Sequence, residues 1–230
     1  MALVLAGGTG SRMGRPKQFL GLLGCPALSY TLRAFEEASE IARIYVVGDR
    51  GRVEELIREY GISKYVGCAS PGESRSLSTR NGLALLDEDP ATLVLVHDGA
   101  RCLLTPDLIR RVVTVISDSG ADGVVPALPV SDTIKVAEDG AVVETLDRAR
   151  LHAVQTPQAF RIGAFRELHA GSEEWLRAAT DDASLVEGAG GKVLLVEGER
   201  TNIKLTAPED LMLAEAILNA RADMKSGARS

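Results

Sequence analysis

Near the start of the chain, Gly7, Gly8, Gly10 and Gly14 are interleaved with Arg12, Arg15 and Lys17, a gathering of glycine and positive charge that suits anion chemistry. Glycines reach backbone conformations closed to other residues, so the stretch can fold back and aim its N–H groups at a ligand. A triphosphate, whose oxygens need many donors converging from one side, fits those donors and cations. The bland alternative is a glycine turn with solvated cations. Two commoner glycine loops do not match. Lys17 follows Pro16 and precedes Gln18, so the metal-binding hydroxyl of a Walker A loop is missing, and Met13 stands where a dinucleotide fingerprint needs its third glycine.

A second chemical signal is Asp98, which closes the aliphatic run Thr92-Leu-Val-Leu-Val-His97. A carboxylate at a strand end in a cleft is a natural ligand for Mg²⁺, which prefers hard oxygens and bridges phosphates; capping of the next loop is the simpler reading. Lys204 follows an apolar strand and precedes a helix, within reach of a phosphate or of solvent. Asp181 and Asp182 suggest either a second metal or a helix cap, and the cap is the more economical. His97, His152 and His169 have no visible nucleophile partner, so no histidine chemistry is assigned.

These residues need a scaffold, and its pattern is α/β. Ala2–Leu5, Ile44–Val47, Tyr65–Cys68, Thr92–Val96, Gly123–Pro129 and Val193–Glu197 read as strands, separated by helical signals over 25–38, 53–60, 79–86 and from Thr105 onward. Such alternation predicts a mostly parallel, Rossmann-like sheet flanked by helices, with ligands at the carboxyl ends of its strands. Residues 133–137 and 141–145 flank Glu138-Asp139-Gly140 and read as a hairpin that needs a partner surface. Thr206 and Glu209 read as a capping box for a last helix ending near Arg221. A single domain over 1–222 is expected, including a protruding arm at about 131–149, with a flexible tail at 223–230.

The net charge of −6, from 26 basic and 32 acidic residues, argues against a nucleic-acid or membrane-surface binder. The first apolar run is too short for a signal peptide or a membrane span. The three cysteines, Cys25, Cys68 and Cys102, lie far apart in no metal-ligand spacing, which points to a reducing cytoplasm.

The run Leu5-Ala-Gly-Gly-Thr-Gly-Ser-Arg-Met-Gly followed by Arg-Pro-Lys-Gln-Phe-Leu resembles the signature loop of nucleotidyltransferases that join CTP to a polyol phosphate. It is most similar to the 2-C-methyl-D-erythritol 4-phosphate cytidylyltransferase family of the non-mevalonate isoprenoid pathway, and the resemblance extends from Leu3 to about Leu218. It implies the nucleotide-diphospho-sugar transferase type of fold. Arg12, Lys17 and Lys204 would be catalytic, and Ala6, Gly7, Gly8, Gly10, Gly72, Glu73, Arg75, Ser78 and Asp98 would bind the nucleotide, with Mg²⁺ on Asp98. Thr133, Arg148, Thr156 and Thr180 would hold the polyol phosphate. The family's hairpin arm embraces a second subunit, which implies a homodimer. His152 and Cys102 depart from the residues frequent at their places, a tryptophan and a proline. Ribitol 5-phosphate is the alternative acceptor, favoured mildly by Ala6-Gly7-Gly8, whereas the blocks 127–135, 146–148 and 180–187 favour methylerythritol phosphate. A CTP-binding sensor without catalysis is the other alternative.

Overall fold

The computed structural model describes residues 1–8 and 16–227. β1 (Ala2–Leu5) leads to a short 3₁₀ turn at Lys17–Phe19 and a small hairpin, β2 (Gly21–Leu22) with β3 (Cys25–Pro26). Then follow α1 (Ala27–Glu37), β4 (Ile44–Val47), α2 (Arg50–Tyr60), β5 (Tyr65–Ala69), α3 (Arg75–Leu83) and β6 (Leu93–Asp98). The second half comprises α4 (Pro106–Ser119), β7 (Gly123–Pro129), β8 (Lys135–Glu138), β9 (Ala141–Thr145), β10 (His152–Val154) and β11 (Gln158–Arg161). It ends with α5 (Ile162–His169), α6 (Glu173–Ala178), α7 (Asp182–Gly188), β12 (Val193–Glu197) and α8 (Glu209–Gly227).

β5, β4, β1 and β6 pair in parallel; β11 then lies antiparallel between β6 and β7, and β12 pairs in parallel with β7. Period-2 alternation sends β1 side chains to both faces of this sheet. Ala2 and Val4 join Leu28, Leu32 and Phe35 of α1 and Ile109 and Val112 of α4 on one face. Leu3 joins Leu83, Val96, Phe160 and Phe165 on the other. The rings of Phe160 and Phe165 stack with centroids 4.2 Å apart, and burial of each such side chain contributes about 1.5–3 kcal/mol.

Helix ends follow local chemistry. Thr105 caps α4 by accepting from Leu108 N–H, with Pro106 in the first turn, as its sequence predicts. α3 starts at Arg75, a turn before the expected Thr79, because Ser74 accepts from Leu77 N–H. Cys25 and Pro26 belong to β3 rather than to α1. The cap at α8 comes from Asp210, not Glu209: its carboxylate accepts from Thr206 N–H, the Thr206 hydroxyl and Ala207 N–H. α8 also continues through Gly227, so residues 223–227 are helical and not the expected tail; Ala220 to Lys225 are mostly good helix formers with no breaker. The hairpin of β8 and β9 forms its own two-stranded sheet, turning at Asp139 and Gly140, and every residue of both strands is exposed.

Candidate active site

The chain steps from β1 to β4 and β5 on one side and then crosses back to β6 on the other side of β1, so a crevice opens beyond the carboxyl ends of β1 and β6. A cavity of about 440 Å³ lies there, lined by Gly7, Gly8, Lys17, Gly72, Glu73, Arg75, Ser78, Asp98 and Lys204, with Leu5, Gln18, Ser74 and Ala100. The sequence-predicted nucleotide group is therefore brought together, apart from Ala6, which is buried just behind the loop. Arg12 and Gly10 lie outside the described residues.

Each lining residue is set by an element. After β1, the chain is held by Gln18, whose buried side-chain amide donates to Ala6 O at 2.6 Å and to Gly8 O at 3.1 Å. Gly7 lies so close to Pro71 that a Cβ there would be 2.3 Å from the proline Cβ, which lets the first and second loops meet across the crevice. In α3, just after that loop, Ser78 Oγ accepts from Gly72 N–H at 3.0 Å and is 2.9 Å from Ser74 O. Glu73 is exposed and pairs with Arg177 at 2.6 Å.

The centre of the cavity is a charge cluster. Asp98 Oδ1 accepts from Arg75 Nε at 3.0 Å, and its Oδ2 accepts from Lys204 Nζ at 2.7 Å. Burial pushes the Asp98 carboxyl up, but Arg75 and then Lys204 outweigh it and hold the group well below the usual carboxylate range. Arg75 also pairs with fully buried Asp182, which lies 3.4 Å from His169. Burial of Asp182 is likewise outweighed, chiefly by Arg75 and His169, so its carboxyl is also lowered. Asp181 is the N-cap of α7, completing a capping box with Ser184, so neither aspartate is placed as a second metal ligand.

The four residues expected to hold the polyol phosphate are not gathered at this cavity. Thr133 and Arg148 are exposed at the arm, where Arg148 donates to Ser131 O at 2.9 Å, and Thr180 is exposed before α7. Thr156 is placed differently from the other three. It is buried; its hydroxyl accepts from Asp98 N–H at 3.1 Å and lies 3.0 Å from His97 Nδ1. Its hydroxyl thereby holds the backbone of Asp98 at the end of β6. His97 is likewise internal, with Nε2 3.1 Å from Arg101 O, and burial lowers its pKa to about 4, leaving a neutral ring at physiological pH. His152 is exposed, as its solvated reading allows.

Among the described residues no group of three or more His, Cys, Asp or Glu forms a cation cage. Asp98 stays ionised and faces the cavity, but both its oxygens already accept from cations. That donor set fits a divalent ion carried mainly by substrate phosphates with one protein carboxylate, the habit of Mg²⁺, and not an all-protein site. No described helix is long and apolar enough to cross a membrane.

This sheet and cleft define a nucleotidyltransferase-type α/β enzyme, and solved structures agree. The chain superposes on 4-diphosphocytidyl-2C-methyl-D-erythritol synthase from Anaerococcus prevotii with a TM-score of 0.80 and 30% identity, covering 95% of each chain. For the 2-C-methyl-D-erythritol 4-phosphate cytidylyltransferase of Thermus thermophilus the TM-score is 0.74 at 33% identity, covering 94% of this chain and 98% of the other. The family model for IspD, 2-C-methyl-D-erythritol 4-phosphate cytidylyltransferase, matches residues 1–220, and the chain belongs to that family. A relative of the same name from Rubrobacter xylanophilus is 63% identical over 96% of this chain and 95% of its own length. Another, from Alkaliphilus metalliredigens, is 44% identical over 96% and 93%.

Proposed function

We propose that the chain transfers the cytidylyl group of CTP to 2-C-methyl-D-erythritol 4-phosphate, giving the CDP-linked alcohol and pyrophosphate for isoprenoid precursor synthesis. The observation that carries this reading is the convergence of Lys17, Arg75 and Lys204 with Asp98 in one crevice at the carboxyl ends of β1 and β6. A phosphate oxygen of the acceptor attacks the α-phosphorus of CTP while the bond to the departing pyrophosphate breaks in line. Two anions must be held together, so positioning and charge neutralisation supply the catalysis, and no covalent enzyme intermediate is needed. Lys17, with Arg12, clamps the triphosphate. Lys204, already held at Asp98, bridges the α-phosphate and the incoming phosphate. Gly72, Glu73 and Ser78 receive the base and ribose side of the nucleotide. Asp98 would hold Mg²⁺ at this site, where the ion would supply charge neutralisation for the triphosphate.

The enzyme acts as a homodimer in the cytoplasm. Support for the dimer comes from the solvent-exposed Val136, Val142 and Val143 of the arm, and from the position of Thr133 and Arg148 away from the cavity of their own chain. An arm laid across a second copy brings Arg148, a forked phosphate donor, to that copy's acceptor. The free cysteines suit a reducing compartment.

Pyrophosphate release with CTP and Mg²⁺ tests the reading, offering methylerythritol 4-phosphate and ribitol 5-phosphate separately. Preference for the first is expected, in line with the names of the relatives. Preference for ribitol phosphate would move the same chemistry to another polyol. Silence with both despite CTP binding would replace an enzyme by a nucleotide sensor.

A further inference from the structure

The loop that carries Lys204 is held by two side-chain amides rather than by regular structure. Asn202 is fully buried; its side-chain Nδ2 donates to Thr156 O at 2.9 Å, and its backbone carbonyl accepts from Arg101 Nη1 at 2.8 Å. Gln155 faces the same loop. Its Oε1 accepts from Glu199 N–H at 3.0 Å and its Nε2 donates to Glu199 O at 2.8 Å, so one side chain satisfies both backbone groups of one residue as a neighbouring strand would. Gly198 is the residue that permits this approach: a Cβ there would lie 2.6 Å from Gln155 Oε1 and 3.2 Å from the Ala127 carbonyl. Beyond Lys204, Leu205 N–H donates to Ala100 O at 2.9 Å.

These bonds lead to the chemistry without touching it. Neither amide lines the cavity. The Thr156 carbonyl takes Asn202, while the Thr156 hydroxyl takes Asp98 N–H, so a continuous path joins the Lys204 loop to the residue that Lys204 grips at 2.7 Å. A lysine side chain has four flexible methylenes and is placed only when its backbone is fixed at both ends.

The geometry points to Asn202 and Gln155 as positioning residues for the transfer step, fixing the Lys204 ammonium against Asp98 and so against the α-phosphate. The inference rests on the role proposed for Lys204. In the full chain, Asn202→Ala and Gln155→Ala are each expected to lower kcat at least ~10-fold, since misplacement by ~1 Å costs up to ~100-fold. CTP affinity by calorimetry is expected to fall much less than kcat, because neither amide lines the cavity and Lys204 is one of several cations around the triphosphate.

Combined with Lys204→Ala, either change is expected to cost nothing further, as required of a residue that acts through the lysine. Losses that multiply, or an unchanged kcat in the single variants, would overturn the assignment. Gln155→Ala leaves the Asn202–Thr156 bond in place and serves if Asn202→Ala does not fold. A second readout needs no acceptor: the rate at which acetic anhydride modifies Lys204, followed by peptide mass spectrometry. It is expected to rise in both variants as the grip on Asp98 loosens, and an unchanged rate would overturn the inference. If the wild type released no pyrophosphate with either polyol phosphate, the proposed reaction would fail while the labelling result still decided the positioning.

Discussion

Lys17, Arg75 and Lys204 enter the cavity from three distant stretches, each placed by a different device: a 3₁₀ turn after Pro16, the first turn of α3, and a loop stitched by amides. Lys17→Ala and Lys204→Ala are expected to leave the fold intact and to lower turnover at least ~100-fold, the scale of losing one preorganised charge donor. Near-wild-type turnover in either pure variant would remove that residue from the mechanism. His97 gives a pH prediction. Its folded pKa, about 4, lies below its ordinary 6.5, so between those values the unfolded chain takes up a proton that the folded chain does not. Stability therefore falls as pH drops from 6.5 toward 4, by at most about 1.4 kcal/mol per pH unit from this group. Urea midpoints at pH 7 and pH 5 check this, and His97→Gln is expected to flatten the difference. Lys17, Asp98 and Lys204 were legible in the sequence because each sits beside an aliphatic run or a glycine loop. The pairings of Asn202 and Asp182 were not: their partners Thr156 and Arg75 are 46 and 107 residues away, and a buried polar contact across the fold leaves no periodic trace.

At the scale of elements, the parallel strands were readable from their unbroken aliphatics, but the reversed strand β11 was not. Gln158-Ala-Phe-Arg161 is short and ends in charge, and only its pairing with β6 and β7 makes it a strand. Its reversal matters, because the start of an antiparallel strand lies beside the carboxyl ends of its parallel neighbours. Thr156 thereby arrives next to Asp98. α3 offers the test at this scale. Ser74 caps it at the rim of the cavity and Arg75 opens its first turn, so the cap fixes both helix and guanidinium. Ser74→Ala is expected to cost about 1 kcal/mol in chemical denaturation and to weaken CTP binding in the same variant. A stability loss with unchanged CTP affinity would separate the cap from the site.

For the whole molecule, the arm is the feature that a lone chain leaves unexplained, since Val142 is 61% and Val143 53% exposed on a two-stranded ribbon. Such ribbons are marginal by themselves. Val143→Glu is expected to shift the protein toward monomer in sedimentation velocity and to reduce turnover together with it; an unaltered dimer, or a fully active monomer, would refute the shared-site arrangement.

The grip of Arg75 and Lys204 on Asp98 has a further meaning as ion exchange. A carboxylate already serves as counter-ion to these cations, so an incoming triphosphate would take over part of their hydrogen bonding from Asp98, a partial trade of one anion for another, instead of meeting bare positive charge. Added salt screens both partners in the trade, and the dependence of CTP affinity on ionic strength should be shallower than three cations alone would give. Asp98→Asn is expected to steepen the plot of log Kd against log salt, and equal slopes would sink the exchange picture. On the same reading the resident anion would also disfavour stray phosphate, and selectivity among anions would begin before the nucleotide arrives.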